Sequence, residues 1–332
     1  MKFPFYLGDG AQQPSQTPVG LPVSRRSQFM QPEKYIADPG LAHACNVALL
    51  LGQPLLLAGE PGTGKTLFAY SLARELGLGA PLKFETKSNS TARDLFYTYD
   101  TLRRFQDAQS GAATARPFDY LTYQALGLAI LYTREQSEVS ELLPLSFKHS
   151  GKTRSVVLID EVDKAPRDFP NDILNELEQL YFRIPELGNV KVEADLELQP
   201  LIIITSNSEK DLPDAFLRRC VYYNIPFPDR DRLHDIIANR LGLYAGGSSP
   251  FLSAALDLFY ELRSAGSGLR KKPATAELLG WLLALQGMAE DSPNPLDQPG
   301  IVLQTLSSLV KTAEDQQKAT TIVKRWLDSR PT

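Results

Sequence analysis

Five short apolar runs punctuate the first two-thirds of the chain: "PLLLAG" at 54–59, "PLKFET" at 81–86, "SVVLID" at 155–160, "PLIIITSN" at 200–207 and "VYYNIPF" at 221–227. Continuous rather than alternating apolar character means that both faces of such strands are covered, as in a parallel sheet between helices. Helical periods fill the gaps. After Lys65, Phe68, Leu72 and Leu76 recur at four-residue intervals until Gly77, and after "DEVDKAPRDFP" the residues Ile173, Leu174, Leu177, Leu180 and Tyr181 form a second stripe. Both stripes read as core-packing faces. A helix is also expected near 119–135, and 181–200 reads as a hairpin with "LGN" at its turn.

Beyond Pro228 the strand pattern stops. "DRDRLHDIIANRLGL", "SAALDLFYELRSAG", "TAELLGWLLALQGMA" and the last thirty or so residues predict helices, with "AGGSSP" at 245–250 as a loop. Residues 1–30, rich in Gln, Pro, Ser and Gly, read as a flexible arm. The expected organisation is therefore an arm over 1–30, an α/β domain over 31–228 and an all-helical domain over 229–332. The α/β part should be a three-layer αβα sandwich around a five-stranded parallel sheet.

Composition narrows the classes without choosing among them. The 332 residues are 43% hydrophobic and 22% charged, ordinary for a soluble protein. A net charge of −4 offers no bulk attraction to nucleic acid or to an anionic membrane. The basic clusters Arg103-Arg104 and Arg270-Lys271-Lys272 read first as solvated surface. Two distant cysteines, Cys45 and Cys220, argue against a disulfide framework and for a reducing cytoplasm. Three scattered histidines suggest no zinc site. No signal peptide is visible, and "VALLLGQPLLLAG" is interrupted by Gly52, Gln53 and Pro54 too soon to span a bilayer.

The chemistry is concentrated in "GEPGTGKT", a G-x-x-x-x-G-K-[ST] pattern between an expected strand and an expected helix. Gly59, Glu60, Pro61, Gly62, Thr63, Gly64, Lys65, Thr66 and Leu67 would cradle the phosphates of a nucleoside triphosphate. Gly62 and Gly64 let the backbone approach phosphate oxygens, and the helix start adds partial positive charge. Lys65 would reach the β- and γ-phosphates, and the Thr66 hydroxyl would ligate Mg²⁺. "VVLIDE" then puts Asp160 and Glu161 at the carboxyl end of a buried strand, where open α/β sheets keep their ligands. Asp160 would hold Mg²⁺ directly or through water, and Glu161 would act as general base on the attacking water. Asn207, at the end of "IITSN", is suited to orienting that water or sensing the γ-phosphate. In "AFLRRC", Arg218 and Arg219 are either surface ion-pairing residues or a guanidinium offered to a neighbouring subunit.

In this order the motifs resemble the AAA+ ATPase superfamily: "GEPGTGKT" as Walker A, "VVLIDE" as Walker B, "ITSN" as sensor 1 and "AFLRRC" as the arginine-finger region. "DEVDKAP" followed by "ILNELE", together with "LPDAFLRRCV", is most similar to the MoxR-type branch, over roughly residues 33–290. The resemblance implies a P-loop NTPase fold with a helical lid, ATP and Mg²⁺ as ligands, ATP hydrolysis, and a ring, usually hexameric. Arg219 falls where the family's finger sits, with Arg218 as neighbour. The adenine would lie between "YIADPGLA" (35–42) and the lid. The branch remodels or activates partner proteins, often with a von Willebrand factor A partner, and carries insertions where 90–109 and 181–200 fall here. Those segments either face a client or a central pore, or pad the core. One departure stands out: the sensor 2 arginine position holds Ala276, leaving Arg270, Lys271 or Lys272 as substitutes, or a lid weakly coupled to the nucleotide. Two other readings use the same residues: a switch that recruits a partner in its ATP-bound state, and a nucleic-acid motor, which the acidic balance disfavours.

Overall fold

Each of the five apolar runs becomes a strand of one sheet in the computed structural model, which describes residues 5–6, 21–22, 31–110, 116–144, 147–149, 151–207, 211–242, 249–289, 292 and 294–330. The 1–30 segment lies almost wholly outside the described residues, as does most of the loop expected at 245–250. The chain divides into two compact units, Tyr35–Phe227 and a second comprising Pro228–Thr332 with the described residues up to Lys34. No helix among the described residues is long and apolar enough to cross a membrane.

In the first unit the strands are β1 (Leu55–Ala58), β2 (Leu82–Glu85), β3 (Tyr97–Tyr99), β4 (Leu121–Tyr123), β5 (Val156–Asp160), β6 (Tyr181–Ile184), β7 (Val190–Glu193), β8 (Leu201–Thr205) and β9 (Val221–Asn224). The main sheet runs β2-β5-β8-β1-β9, with every pair parallel. Every residue of β1 and β5 is buried, as strands covered on both faces must be. Successive side chains serve opposite layers. Leu55, Leu57, Val156, Leu158 and Ile203 pack under the helices Pro39–Leu51 and Lys65–Glu75. Leu56, Val157, Ile159, Ile202 and Ile204 pack with the helix Ala125–Tyr132 and with Ile173, Leu177 and Phe216. This is the three-layer αβα arrangement.

Two departures from the expected elements have local causes. The helix anticipated over 119–135 is shortened to Ala125–Tyr132, because 121–123 pair with 97–99 as an antiparallel ladder. The second apolar stripe is split into the turns Phe169–Asp172 and Leu174–Gln179 and ends at Leu180, whose φ of 50° turns Tyr181 into a strand. The hairpin expected at 181–200 is β6–β7, turning through Gly188 (φ 74°) and Asn189 (φ 62°). The two inserted segments pack on each other. Phe96 stacks on Phe182 at 5.3 Å, Tyr97 and Tyr123 flank the same ring, and the Tyr97 hydroxyl donates to Glu186 at 2.8 Å. Gly127 lets the helix Ala125–Tyr132 approach this insert, since a Cβ there would stand 2.0 Å from the Phe96 carbonyl oxygen. The outer side is different: Leu102 and Phe105, on the helix Thr101–Gln109, remain exposed.

The second unit contains the helices Arg230–Leu241, Pro250–Arg263, Thr275–Met288, Pro299–Leu309 and Ala313–Asp328. Trp281 is fully buried, and its indole N–H donates to Thr305 at 3.0 Å. Asp315 is the buried charge among the described residues of this unit. Its carboxylate accepts the backbone N–H groups of Arg270 (2.9 Å) and Lys271 (3.1 Å), pinning the basic loop. The Arg270 amide does most to hold this carboxyl below its usual range; burial opposes it, and Lys271, Thr312 and Lys318 assist. A carboxyl depressed in the folded state contributes stability above its unfolded value, and that contribution is lost as pH falls through the folded one. Both tryptophans, Trp281 and Trp326, lie in this unit and report on it selectively. Thermal unfolding followed by tryptophan fluorescence is expected to show stability falling below about pH 4. Asp315→Asn should be less stable at neutral pH, with the gap to wild type narrowing as the pH is lowered.

Candidate functional site

β1 ends at Ala58, and the chain then enters a turn that only glycine tolerates. Gly59 has φ 141°, and a Cβ there would meet the Ile225 carbonyl oxygen at 2.8 Å. Gly62 (φ 79°) and Gly64 (φ 92°) continue the left-handed path, and Thr63 folds back with its hydroxyl on the Glu60 carbonyl at 2.9 Å. The helix Lys65–Glu75 starts directly after Gly64 with no side-chain cap, so its first-turn N–H groups face the loop mouth. Glu60, Pro61 and Gly62 are exposed at this mouth, whereas Leu67 is buried in the core. Tyr35 packs edge-on against Phe68 at 6.0 Å, and its ring lies 3.0 Å from where a Gly64 side chain would begin.

Lys65 is 6% exposed, and its ammonium donates to the carbonyls of Gly59 (2.8 Å) and Glu60 (3.0 Å). Burial holds it below the usual lysine value, against the opposing pull of Asp163, Asp160, Glu161 and Glu60. A desolvated cation resting on its own loop is suited to receiving an anion.

Asp160 and Glu161 sit at the carboxyl end of β5, with β8 between that strand and β1. Asp160 is buried and its Oδ1 accepts two hydroxyls, Thr66 at 2.9 Å and Thr205 at 2.7 Å; its Oδ2 lies 3.0 Å from the Lys83 ammonium. Thr66 and Asp160 thus converge as hard oxygen donors, a set that fits a small divalent cation such as Mg²⁺. Glu161 adopts a left-handed backbone (φ 57°), uncommon for a non-glycine residue, and its N–H donates to the Thr205 hydroxyl at 2.9 Å. Both of its carboxylate oxygens are engaged: Oε1 accepts the Asn207 side-chain amide at 3.0 Å, and Oε2 accepts Lys164. Asn207 is itself placed by its backbone N–H, which bonds both Asp163 oxygens at 3.2 Å.

The structure therefore links Thr66, Asp160, Glu161 and Asn207 through Thr205 in one hydrogen-bonded network, with Lys65 beside it on the glycine turn. It does not draw Arg218 and Arg219 into that network. Arg218 is exposed after the turn Asp214–Leu217, and the Arg219 guanidinium donates to Glu178 and to the Ala215 carbonyl (3.1 Å). In the helical unit, Ala276 is exposed in the first turn of Thr275–Met288, and Arg270 pairs with Glu314 at 3.2 Å. Both cysteines are free. Burial pushes Cys45 up to about 11 and Cys220 up to about 12, so neither offers a thiolate nucleophile at neutral pH.

Residues 55–227, which hold the whole of this network, match the ATPase family associated with various cellular activities (AAA). The chain belongs to that family. Among curated proteins it is similar to RuvB-like helicase 1 of Drosophila melanogaster, 32% identical over 116 residues, covering 33% of this chain and 22% of the relative. It is likewise similar to RuvB-like protein 1 of Arabidopsis thaliana, 29% identical over 130 residues, covering 38% and 25%. These matches span no more than a quarter of either relative's length. Among solved structures, the Thermotoga maritima RuvB Holliday junction branch migration motor aligns at 17% identity over 83% of this chain and 69% of that one, with a TM-score of 0.41.

Within this AAA ATPase, two residues of the network escaped the sequence reading. Thr205 was visible only as a polar residue in "IITSN", and Asp163 as the third acid of "DEVD"; each acquires its place through neighbours more than 40 positions away in sequence. Thr205 is 1% exposed and joins both acidic residues, donating to Asp160 while accepting from Glu161. Thr205→Val leaves that N–H and one lone pair unpaired at nearly constant volume. It should cost about 1–3 kcal/mol in urea denaturation, whereas Thr205→Ser should cost about 1 kcal/mol or less, the loss of a methyl group.

Proposed function

We propose that the protein is a MoxR-type AAA+ ATPase that hydrolyses ATP with Mg²⁺, assembles as a ring, hexameric in the form closest to its motifs, and remodels or activates a partner protein. The observation that carries the ATPase part is the network joining the glycine turn to Asp160, Glu161 and Asn207. The MoxR assignment is supported by the "DEVDKAP", "ILNELE" and "LPDAFLRRCV" segments and by the two inserts at 90–109 and 181–200. A client, with a von Willebrand factor A protein as one candidate, is part of the same proposal. The exposed Leu102 and Phe105 on the first insert leave it a surface for such contact.

In this reading the loop N–H groups from Gly59 to Leu67 and the helix start hold the phosphates. Lys65 exchanges its two loop carbonyls for the β- and γ-phosphate oxygens. Thr66 and Asp160 would hold Mg²⁺, which when bound neutralises charge on the phosphates. Glu161 accepts a proton from the attacking water once it leaves Lys164, and Asn207 orients either Glu161 or that water. Arg219, released from Glu178, would complete the site of an adjacent subunit.

The relatives named RuvB-like helicases raise a second reading, a motor on nucleic acid. The acidic balance of the chain, −4, weighs against it. ATPase rates measured with and without duplex and single-stranded DNA separate the two, and stimulation by DNA alone favours the motor.

Glu161→Gln should bind a fluorescent ATP analogue normally while turnover falls at least about 100-fold, and Lys65→Ala should lose binding. Equal turnover by Glu161→Gln and wild type removes Glu161 as base. Arg219→Ala alone should lose about 10³-fold or more in rate. Mixing Arg219→Ala with Glu161→Gln subunits should restore part of the activity, because some interfaces then combine an intact base with an intact guanidinium. No recovery at any ratio counts against shared sites.

A further inference from the structure

Lys83 is a cation that the nucleotide reading does not use, yet it touches that reading's central carboxylate. On β2, at the edge of the sheet, Lys83 pairs in register with Leu158 and Glu85 with Asp160, so the two charged side chains share the face on which Asp160 lies. The Lys83 ammonium is 3.0 Å from Asp160 Oδ2 and 2.6 Å from Glu85 Oε1. Because Thr66 and Thr205 occupy Oδ1, Lys83 holds the other oxygen of the same carboxylate. The side chains of Lys83 and Asp160 are 28% and 10% exposed, so solvent does not fully screen their attraction. Partial burial pulls Lys83 down, but its bonds to Glu85 and Asp160 prevail and keep it above the usual lysine value. Alongside lies a cavity of about 490 Å³ lined in part by Lys83, Glu85, Lys87, Ser90 and Asp94.

We infer that Lys83 is a resident counter-ion of Asp160 that competes with Mg²⁺, and that it sets how much magnesium the site requires; this rests on the nucleotide reading proposed above. An ammonium can neutralise a carboxylate but cannot coordinate phosphate and carboxylate oxygens together. Two cations on one carboxylate repel even when they face different oxygens. Release of Lys83 from Oδ2 would therefore accompany Mg²⁺ binding at Asp160, directly or through a bound water. Glu85 eases the displacement, because it shares the ammonium beforehand and keeps it afterwards. Lys83 is thus a positioning residue acting through Asp160.

The two partners of Lys83 make predictions of opposite sign. The experiment is equilibrium binding of mant-ATP to the full chain, titrated from EDTA to saturating free magnesium. Lys83→Met should lower the half-saturating magnesium about fivefold, which corresponds to about 1 kcal/mol, the upper range for a partly exposed pair. Glu85→Gln, at a side chain 71% exposed, should raise it about twofold by leaving the ammonium wholly to Asp160. In the Lys83→Met background the Glu85→Gln effect should vanish. If Lys83→Met does not fold, the exposed Glu85→Gln variant still decides. A half-point unmoved by either substitution overturns the inference. So does weaker binding of Lys83→Met in EDTA, which would place Lys83 on the phosphates. A wild type that binds no mant-ATP, with Lys65→Ala indistinguishable from it, takes down the nucleotide reading itself.

Discussion

One carboxylate oxygen, Asp160 Oδ1, receives hydroxyls from two different elements: Thr66 on the helix that follows β1, and Thr205 at the end of β8. Three strands of the sheet therefore meet at a single buried acceptor, through their own ends or through the helix that continues them. The geometry of the candidate site depends on this junction. The glycine turn cannot move relative to the acidic strand without breaking a partly buried hydrogen bond, and β8 cannot slide without breaking the bond that Thr205 accepts from the Glu161 N–H. Parallel strands make such a meeting possible, since all their carboxyl ends lie at one edge.

Lys65, Glu161, Asn207 and Arg219 already have partners from the same chain. Lys65 rests on loop carbonyls, Glu161 on Asn207 and Lys164, and Arg219 on Glu178. Each of these contacts is polar and replaceable, whereas the surrounding layers are closely packed and apolar. The division suits a machine whose scaffold stays rigid while its polar side chains exchange partners. The two inserts follow the same division. Their inner aromatic residues belong to the core, whereas Leu102 and Phe105 on the helix Thr101–Gln109 and Leu196 in the second insert stay exposed.

How much of this was legible in the sequence depended on how local each signal is. All five strands of the main sheet were readable because burial on both faces leaves an unbroken apolar run. The glycine turn was readable because its backbone geometry demands particular residues at fixed spacing. β3 and β4 were not readable: "YTY" and "LTY" are three-residue pieces whose pairing lies across more than 20 positions, and 121–123 sit next to a helix whose apolar texture conceals them. Leu180 shows a different limit. Its left-handed turn breaks a stripe whose spacing is otherwise helical, and no glycine marks the place. Thr205, Asp163 and Lys83 matter through neighbours brought in by the sheet, so one-dimensional patterns pass over them.

The Arg219–Glu178 contact gives the proposed assembly a thermodynamic linkage. An arginine that must leave one anion to serve another couples two equilibria, internal pairing and engagement across a subunit boundary. Whatever triphosphate occupancy contributes to association, association must return to triphosphate affinity, since the two share one coupling free energy. Glu178 sets the zero of that scale: in the proposed assembly, the more firmly it holds, the smaller the net coupling left between subunit association and ligand binding.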